Sequence, residues 1–208
     1  MATAGASTIA RAGPGRPSSG ARERILAGCL EVLKSDGYAG LTTAKVATAS
    51  GESKALIAYH FGSKDGLVTA AGRELGNSIT EEILIGVRGA RTVEEIVEGA
   101  LAGTWALLER DERLPRVYFD LNAVSVVQDE IRAVMREIKG GFRTVLVGLL
   151  READDPFAPR AAPALAVLII AGIEGLCLEW IERGDTEELR NARELFVRSI
   201  VAGLEPTR

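Results

Sequence analysis

Apolar residues recur along this chain at intervals of three and four. Ile25, Cys29, Val32 and Leu33 stand at i, i+4, i+7 and i+8, one stripe of a helix with 3.6 residues per turn. Ile131, Val134, Met135, Ile138, Phe142, Val145, Leu146, Leu149 and Leu150 keep the pattern for about five turns. Sustained period-two alternation between turn dipeptides is missing, and no internal repeat is visible. The seven prolines (Pro14, Pro17, Pro115, Pro156, Pro159, Pro163 and Pro206) leave 18–114, 116–155 and 164–205 uninterrupted. The pattern predicts an all-α protein.

Caps divide it into about nine helices. The first covers about 20–36 and stops at Gly37, which tolerates positive φ. The second covers about 43–50, from Thr42 as N-cap to Gly51, and the third about 54–60, entered at Ser53. The fourth starts near Lys64 behind Ser63 and reaches about Ile85. The rest fall at about 93–109, 113–125, 128–153, 161–183 and 186–203. Thr92 caps the fifth, and Pro115 sits in the first turn of the sixth, where a missing N–H costs nothing. This gives an N-terminal arm (1–19), a small helical module (20–66) and a larger helical domain (67–208).

Composition removes several classes. Of 208 residues, 47% are hydrophobic and 26% charged, an ordinary globular balance. Cys29 and Cys177 lie far apart, which suits a reducing cytosol and gives no disulfide framework or zinc site. His60 is the single histidine, so multi-histidine metal sites and most Ser-His or Cys-His catalysis have nothing to build on; no metal or cofactor is expected. Residues 1–20 lack the apolar run of a secretion signal. The most apolar run, Ala161 to Ile173, is 13 residues, whereas a membrane span needs roughly 20. A buried helix and a cytoplasmic location are the expectations.

The net charge is −4, which at first argues against nucleic acid. It is unevenly distributed. Residues 1–66 hold eight Lys/Arg against five Asp/Glu, a balance of +3, while the remainder carries −7. A mildly basic module on an acidic body would be repelled from DNA except where the module docks, with modest affinity falling steeply with salt.

The second and third helices are the informative pair. Each has about two turns, too short to persist alone in water. They would survive by packing Val46, Ala47, Ala49, Leu56, Ile57 and Phe61 on the first and fourth helices. Two short helices joined by Gly51-Glu52-Ser53 have helix-turn-helix spacing. A plain helical hairpin within a bundle fits that spacing as well.

The residues add a resemblance. The stretch Gly40 to Leu67, with Thr42-Thr43…Val46-Ala47…Gly51 and Tyr59-His60-Phe61…Ser63-Lys64…Leu67, after Gly37-Tyr38, resembles the DNA-binding region of the TetR family of bacterial repressors. The detailed match covers about 22–70; beyond it, helix count and the segment AGIEGLCLEW are weaker signals. The resemblance implies a homodimer on a double-stranded DNA operator and a ligand pocket in the C-terminal domain. It implies phosphate contacts from Thr42, Ser53, Tyr59, His60 and Lys64, and places Thr43, Ala44, Lys54, Ala55, Leu56 and Ala58 towards the groove. Ser63 and Lys64 begin a helix whose N–H groups and dipole favour a phosphate. His60 has a plainer alternative, a bond to a helix-terminal carbonyl; Lys64 has another, simple solvation; Tyr59 could be half-buried packing.

Two residues depart from the family pattern. Glu52 stands where an apolar residue is usual and is expected to point to solvent, since an unpaired buried carboxylate is costly. Ala58 replaces a larger residue. With Ala44, Ala55 and Leu56 also small or apolar, Lys54 and Thr43 are the main polar readers. Thymine methyl contacts, water and DNA shape would carry much of the specificity. Arg11 and Arg16 on the arm could enter a minor groove; a merely solubilising tail is the alternative.

In the C-terminal domain, Trp105, Tyr118, Phe119, Asn122, Met135, Phe142, Glu174 and Cys177 are candidate walls of a pocket for a small apolar effector; for each, core packing is the competing reading. Asn122 and Glu174 lie in apolar helical stretches and need partners if buried. Apolar residues nearly encircle Leu165 to Ile181, and Leu189, Leu195, Phe196, Ile200, Val201 and Leu204 continue on the last helix. Such helices must be covered on both sides, within one subunit or across a two-fold interface of the two C-terminal helices. The resemblance favours the dimer. The expected protein is a ligand-responsive transcriptional regulator, more readily a repressor, with no enzymatic activity. A helical small-molecule carrier or an enzyme without DNA binding is the alternative class; a carrier would show no salt-dependent DNA affinity.

Overall fold

The structure is a computed structural model and describes residues 20–156 and 158–204. Arg11 and Arg16, with the rest of the arm, lie outside the described residues. Nine α-helices and no strands occur among those residues: α1 (Ala21–Gly40), α2 (Thr43–Ser50), α3 (Lys54–Phe61), α4 (Lys64–Gly86), α5 (Val93–Arg110), α6 (Arg113–Val124), α7 (Asp129–Glu152), α8 (Ala158–Arg183) and α9 (Glu187–Ala202).

The caps do what their side chains allow. Thr42, Ser53, Ser63, Thr92 and Thr186 each accept a backbone N–H three residues on, and Thr92 and Glu95 complete a reciprocal capping box. Gly37 breaks α1 with φ 66°, after which one more turn runs to Gly40. Expected and observed boundaries part at the end of α1, which reaches Gly40 and not 36, and at α8, which starts at Ala158 and not Ala161. The Asp155 carboxylate accepts from the Ala158 N–H at 3.0 Å, so helix formation begins early and carries Pro163 inside its first turns. At 26 residues α8 is long and apolar enough to cross a membrane, so the shortness of the 13-residue run no longer argues against a span. What the structure shows instead is an inner face of Leu165, Ala166, Ile169 and Cys177 buried in the protein's own core.

Two apolar cores hold the helices. The first joins α1–α4 through Ile25, Val46, Ile57, Leu67 and Val68 and continues without a gap into Val117 and Leu121 of α6 and Val134 and Met135 of α7. The second fills the space between α5, α7, α8 and α9 around Ile96, Leu108, Leu150 and Ile169. α4 passes from one to the other. Its far end crosses α5 with backbones nearly touching: a methyl on Gly86 would fall 2.2 Å from the Gly99 carbonyl oxygen. Only glycine fits there.

Candidate nucleic-acid interface and ligand cavity

The α2–α3 pair projects at one end. Gly51 turns the chain between the two helices at φ 70°, a conformation that favours glycine. Val46 and Ile57 are wholly buried and anchor the two short helices to α1 and α4. With those anchors inward, Lys54, Ala55, Ala58 and Tyr59 of α3 are exposed, as are Ala44 of α2 and its N-cap Thr42. Leu56 and Thr43 are half-buried. Tyr59 is 74% exposed, far more than a packing residue would be. The hydroxyls of Thr42 and Ser53 accept N–H bonds from Lys45 and Leu56; their own hydrogens can still be donated to a phosphate oxygen.

Glu52 departs from expectation, and Lys64 and His60 have neighbours that the sequence does not show. Glu52 does not point to solvent. It is only 15% exposed and meets the Arg24 guanidinium at 2.6 Å, so the unusual turn carboxylate is an α1–turn brace. Lys64 is not simply solvated. Its ammonium donates to the Tyr38 carbonyl at 3.1 Å and sits 4.4 Å from the Tyr38 ring centroid, bracing the broken end of α1. His60 bonds no carbonyl through Nε2, which is buried without a partner; a phosphate would have to meet its other ring nitrogen.

Tyr38 is the hub that short-range patterns miss. Its N–H donates to Asp120 of α6 at 2.6 Å, and its hydroxyl meets Asp65 at 2.9 Å and also Gln128. Burial, with the Asp65 bond, raises the phenol's pKa. Asp120 is 82 positions away, so no local signal joins them.

The second site is a narrow apolar cavity whose empty space, mouth included, is about 840 Å³. α4 contributes Ile79, Thr80 and Ile83; α5 contributes Ala100, Thr104, Leu107 and Leu108; α6 contributes Leu114, Pro115, Tyr118 and Phe119. Phe142, Val145 and Leu146 of α7 and Ile170, Ile173, Glu174 and Cys177 of α8 close it. Tyr118, Phe119, Phe142, Glu174 and Cys177 thus meet in one wall. Trp105, Asn122 and Met135 do not. Trp105 faces α9, with the Arg193 guanidinium 4.5 Å from its ring centroid, because its position on α5 lies away from the cavity-facing Thr104 and Leu108. Met135 packs in the first core. Asn122 sits at the end of α6, where its carbonyl accepts from Ser125.

Glu174 is the cavity's one carboxylate, and its partners come from two other helices. Tyr118 donates to it at 2.6 Å and Lys139 at 3.1 Å. Burial, reinforced by that carboxylate, raises the Tyr118 pKa. Burial, with Glu174 nearby, pushes the Cys177 thiol up to about 12; burial does the same to Cys29 in the first core, also to about 12.

An exposed short helix held by its neighbours, at the end of an α-helical body with an internal chamber, is the build of a helix-turn-helix transcriptional regulator. Comparison with known proteins agrees. Residues 25–71 match the model for bacterial regulatory proteins of the tetR family, and 92–205 match the model for the C-terminal part of BetI-type transcriptional repressors. The chain belongs to the TetR family of DNA-binding transcriptional regulators. It is 25% identical over 179 residues to the HTH-type transcriptional regulator BetI 1 of Chromohalobacter salexigens, covering 84% of this chain and 85% of that protein. A transcriptional regulator from Rhodococcus sp. shares the fold at TM-score 0.75 with 23% identity, over 90% of this chain and 99% of that one. FadR of Bacillus subtilis, solved with stearoyl-CoA, superposes at TM-score 0.70 with 20% identity, over 87% and 98% of the two chains.

Proposed function

We propose that this protein is a homodimeric, effector-released repressor acting in the cytoplasm on a pseudo-palindromic operator. The observation that carries the reading is α4: one helix begins beside α3 with Ser63 and Lys64 and ends in the cavity wall with Ile79, Thr80 and Ile83. A molecule filling the cavity pushes on the helix that sets the position of the reading head. In a dimer the two recognition helices must sit about 34–36 Å apart to enter successive major grooves. Moving α4 spoils that spacing, and coupling of this kind typically changes affinity about 5- to 150-fold.

The contacts assigned to DNA are Thr42, Ser53, Tyr59, His60 and Lys64 for phosphates and Thr43, Ala44, Lys54, Ala55, Leu56 and Ala58 for the groove. Residues 20–66 act as the reading head, and 67–208 as the sensing and dimerising body. Val167, Leu168 and Leu178 of α8 and Leu195 of α9 are each about half exposed. That outward apolar face supports dimerisation through the two C-terminal helices. A relative of this fold was solved with stearoyl-CoA, which supports an effector with a large apolar part.

Fluorescence anisotropy with labelled DNA from upstream of the protein's own coding region tests the reading. A specific complex that weakens steeply with salt and is released by a cavity ligand is expected. Absence of any specific complex between low and physiological salt overturns it.

A further inference from the structure

The polar groups in the cavity wall share one property. Every strong hydrogen-bond donor among them is already committed. The Thr80 hydroxyl donates to the Gly76 carbonyl and the Thr104 hydroxyl to the Ala100 carbonyl, both at 2.8 Å. The Tyr118 hydroxyl donates to Glu174 at 2.6 Å. The Lys139 ammonium reaches both Glu174 oxygens, at 3.1 and 3.2 Å, from outside the wall. The start of a helix such as α6, which supplies Leu114 and Pro115, ordinarily offers backbone N–H groups. Asp111 takes those of Arg113 and Leu114 at 3.1 and 3.0 Å, and Pro115 has none. Only the Cys177 thiol is left, a weak donor, held protonated by its surroundings.

Acceptors are plentiful by contrast. The oxygens of Thr80, Thr104 and Tyr118 each keep lone-pair capacity after donating, and Glu174 has four lone-pair sites for its three contacts. A ligand that brings an O–H or N–H finds a partner. A ligand that brings only a carbonyl, ether or carboxylate oxygen gives up its water and finds none, leaving a buried acceptor unsatisfied. A bare cation gains little, because Lys139 already neutralises the one carboxylate.

Resting on the effector reading of this cavity, we propose that it selects uncharged, largely hydrocarbon molecules carrying a hydrogen-bond donor, an alcohol or a phenol, over molecules of the same skeleton that carry acceptors alone. Tyr118, Phe119 and Phe142 give such a ring or chain apolar walls, and the hydroxyl falls to one of the acceptors.

Calorimetric titration of the full-length protein with para-butylphenol, its methyl ether and para-butylbenzoate tests this. After correction for each compound's own transfer from water, the phenol should bind about tenfold tighter than the ether, and the benzoate weakest. An ether or benzoate that binds as tightly as the phenol overturns donor selection and leaves the cavity an effector site. Failure of all three to bind overturns the cavity as an effector site, and the selectivity with it. Glu174→Gln puts amide N–H donors into the wall, so the ratio of phenol to ether affinity should fall towards one. An unchanged ratio in a variant that melts like the parent counts against the proposal. The ranking on the unaltered protein decides whether or not the variant folds.

Discussion

The reading head and the cavity solve recognition in opposite ways. The head keeps its apolar anchors, Val46 and Ile57, wholly buried and turns Lys54, Ala58 and Tyr59 outward. Its residues carry a positive balance, and the hydroxyls of Thr42 and Ser53, which accept within the fold, keep hydrogens for an outside partner. The cavity turns its apolar groups towards the site and spends its hydroxyl hydrogens internally, on Gly76, Ala100 and Glu174. Attraction in the head is electrostatic and falls with salt; selection in the cavity rests on desolvation and unmatched hydrogen bonds, which salt barely touches. On the proposed function, one chain answers two chemically unrelated partners without either surface competing for the other.

Packing, however, makes head and body one unit, because the first core runs from Ile57 into Leu121 and Val134. Ile57→Ala is the largest test: about 2–5 kcal/mol of stability should disappear. Both tryptophans, Trp105 and Trp180, lie in the body. Their fluorescence should nevertheless report the lowered midpoint in the same transition as circular dichroism. Two separate transitions would show that the head melts alone.

Lys64→Ala should weaken binding to all DNA sequences alike and lower the salt slope by about one for the phosphate no longer neutralised, whereas Lys54→Ala should weaken the operator more than unrelated DNA; neither should change ligand affinity in the cavity. They should part on stability. Lys64 holds the Tyr38 carbonyl, so its removal lowers the melting temperature, whereas Lys54→Ala leaves it in place. Anisotropy across a salt series, with thermal melts, gives both readouts.

Tyr118→Phe removes the hydroxyl that Glu174 accepts and should cost about 1–3 kcal/mol in stability, while the affinity of the ligand-free protein for DNA holds. A weakened DNA affinity would mean that Tyr118, Glu174 and Lys139 also set the head's resting position.

The cysteines offer a smaller effect, one in each region. Burial raises both thiols to about 12, so at pH 8 almost no thiolate exists and iodoacetamide should label neither until the protein unfolds. The folded-state values stand above the ordinary 9.0. The thiols' contribution to stability is therefore fully present below pH 9 and is lost as pH rises towards 12.

Smallest is Asp36→Asn. The Lys45 ammonium, 2.8 Å away, lowers the Asp36 pKa, so this contribution is present above the ordinary aspartate range and lost as pH falls through it. The exposed pair should barely move the midpoint at pH 7; what small difference there is between parent and variant should close as pH falls below about 4 and Asp36 takes up its proton.

The helices, their caps and the reading head's anchors are legible in the sequence. Those features rest on side chains three or four positions apart, or on one residue's own backbone preference: Ser53 bonding Leu56, Gly51 at positive φ, Ile57 on the inner face. The family motif is legible for the same reason, being compressed into 40–67. The rest exists only in the folded chain. The cavity takes its wall from five helices, so Thr80, Thr104 and Pro115 carry no local mark, and Trp105, Asn122 and Met135, equally apolar or well placed by pattern, fall outside it. Glu52 passes for a solvated charge in the sequence, and Lys64 shows no structural role there, because their partners, Arg24 and the Tyr38 carbonyl, are 28 and 26 positions away. Periodicity tells which face of a helix is covered. What covers it, and which polar atoms have spent their hydrogens, depends on neighbours that the chain brings together only when it folds.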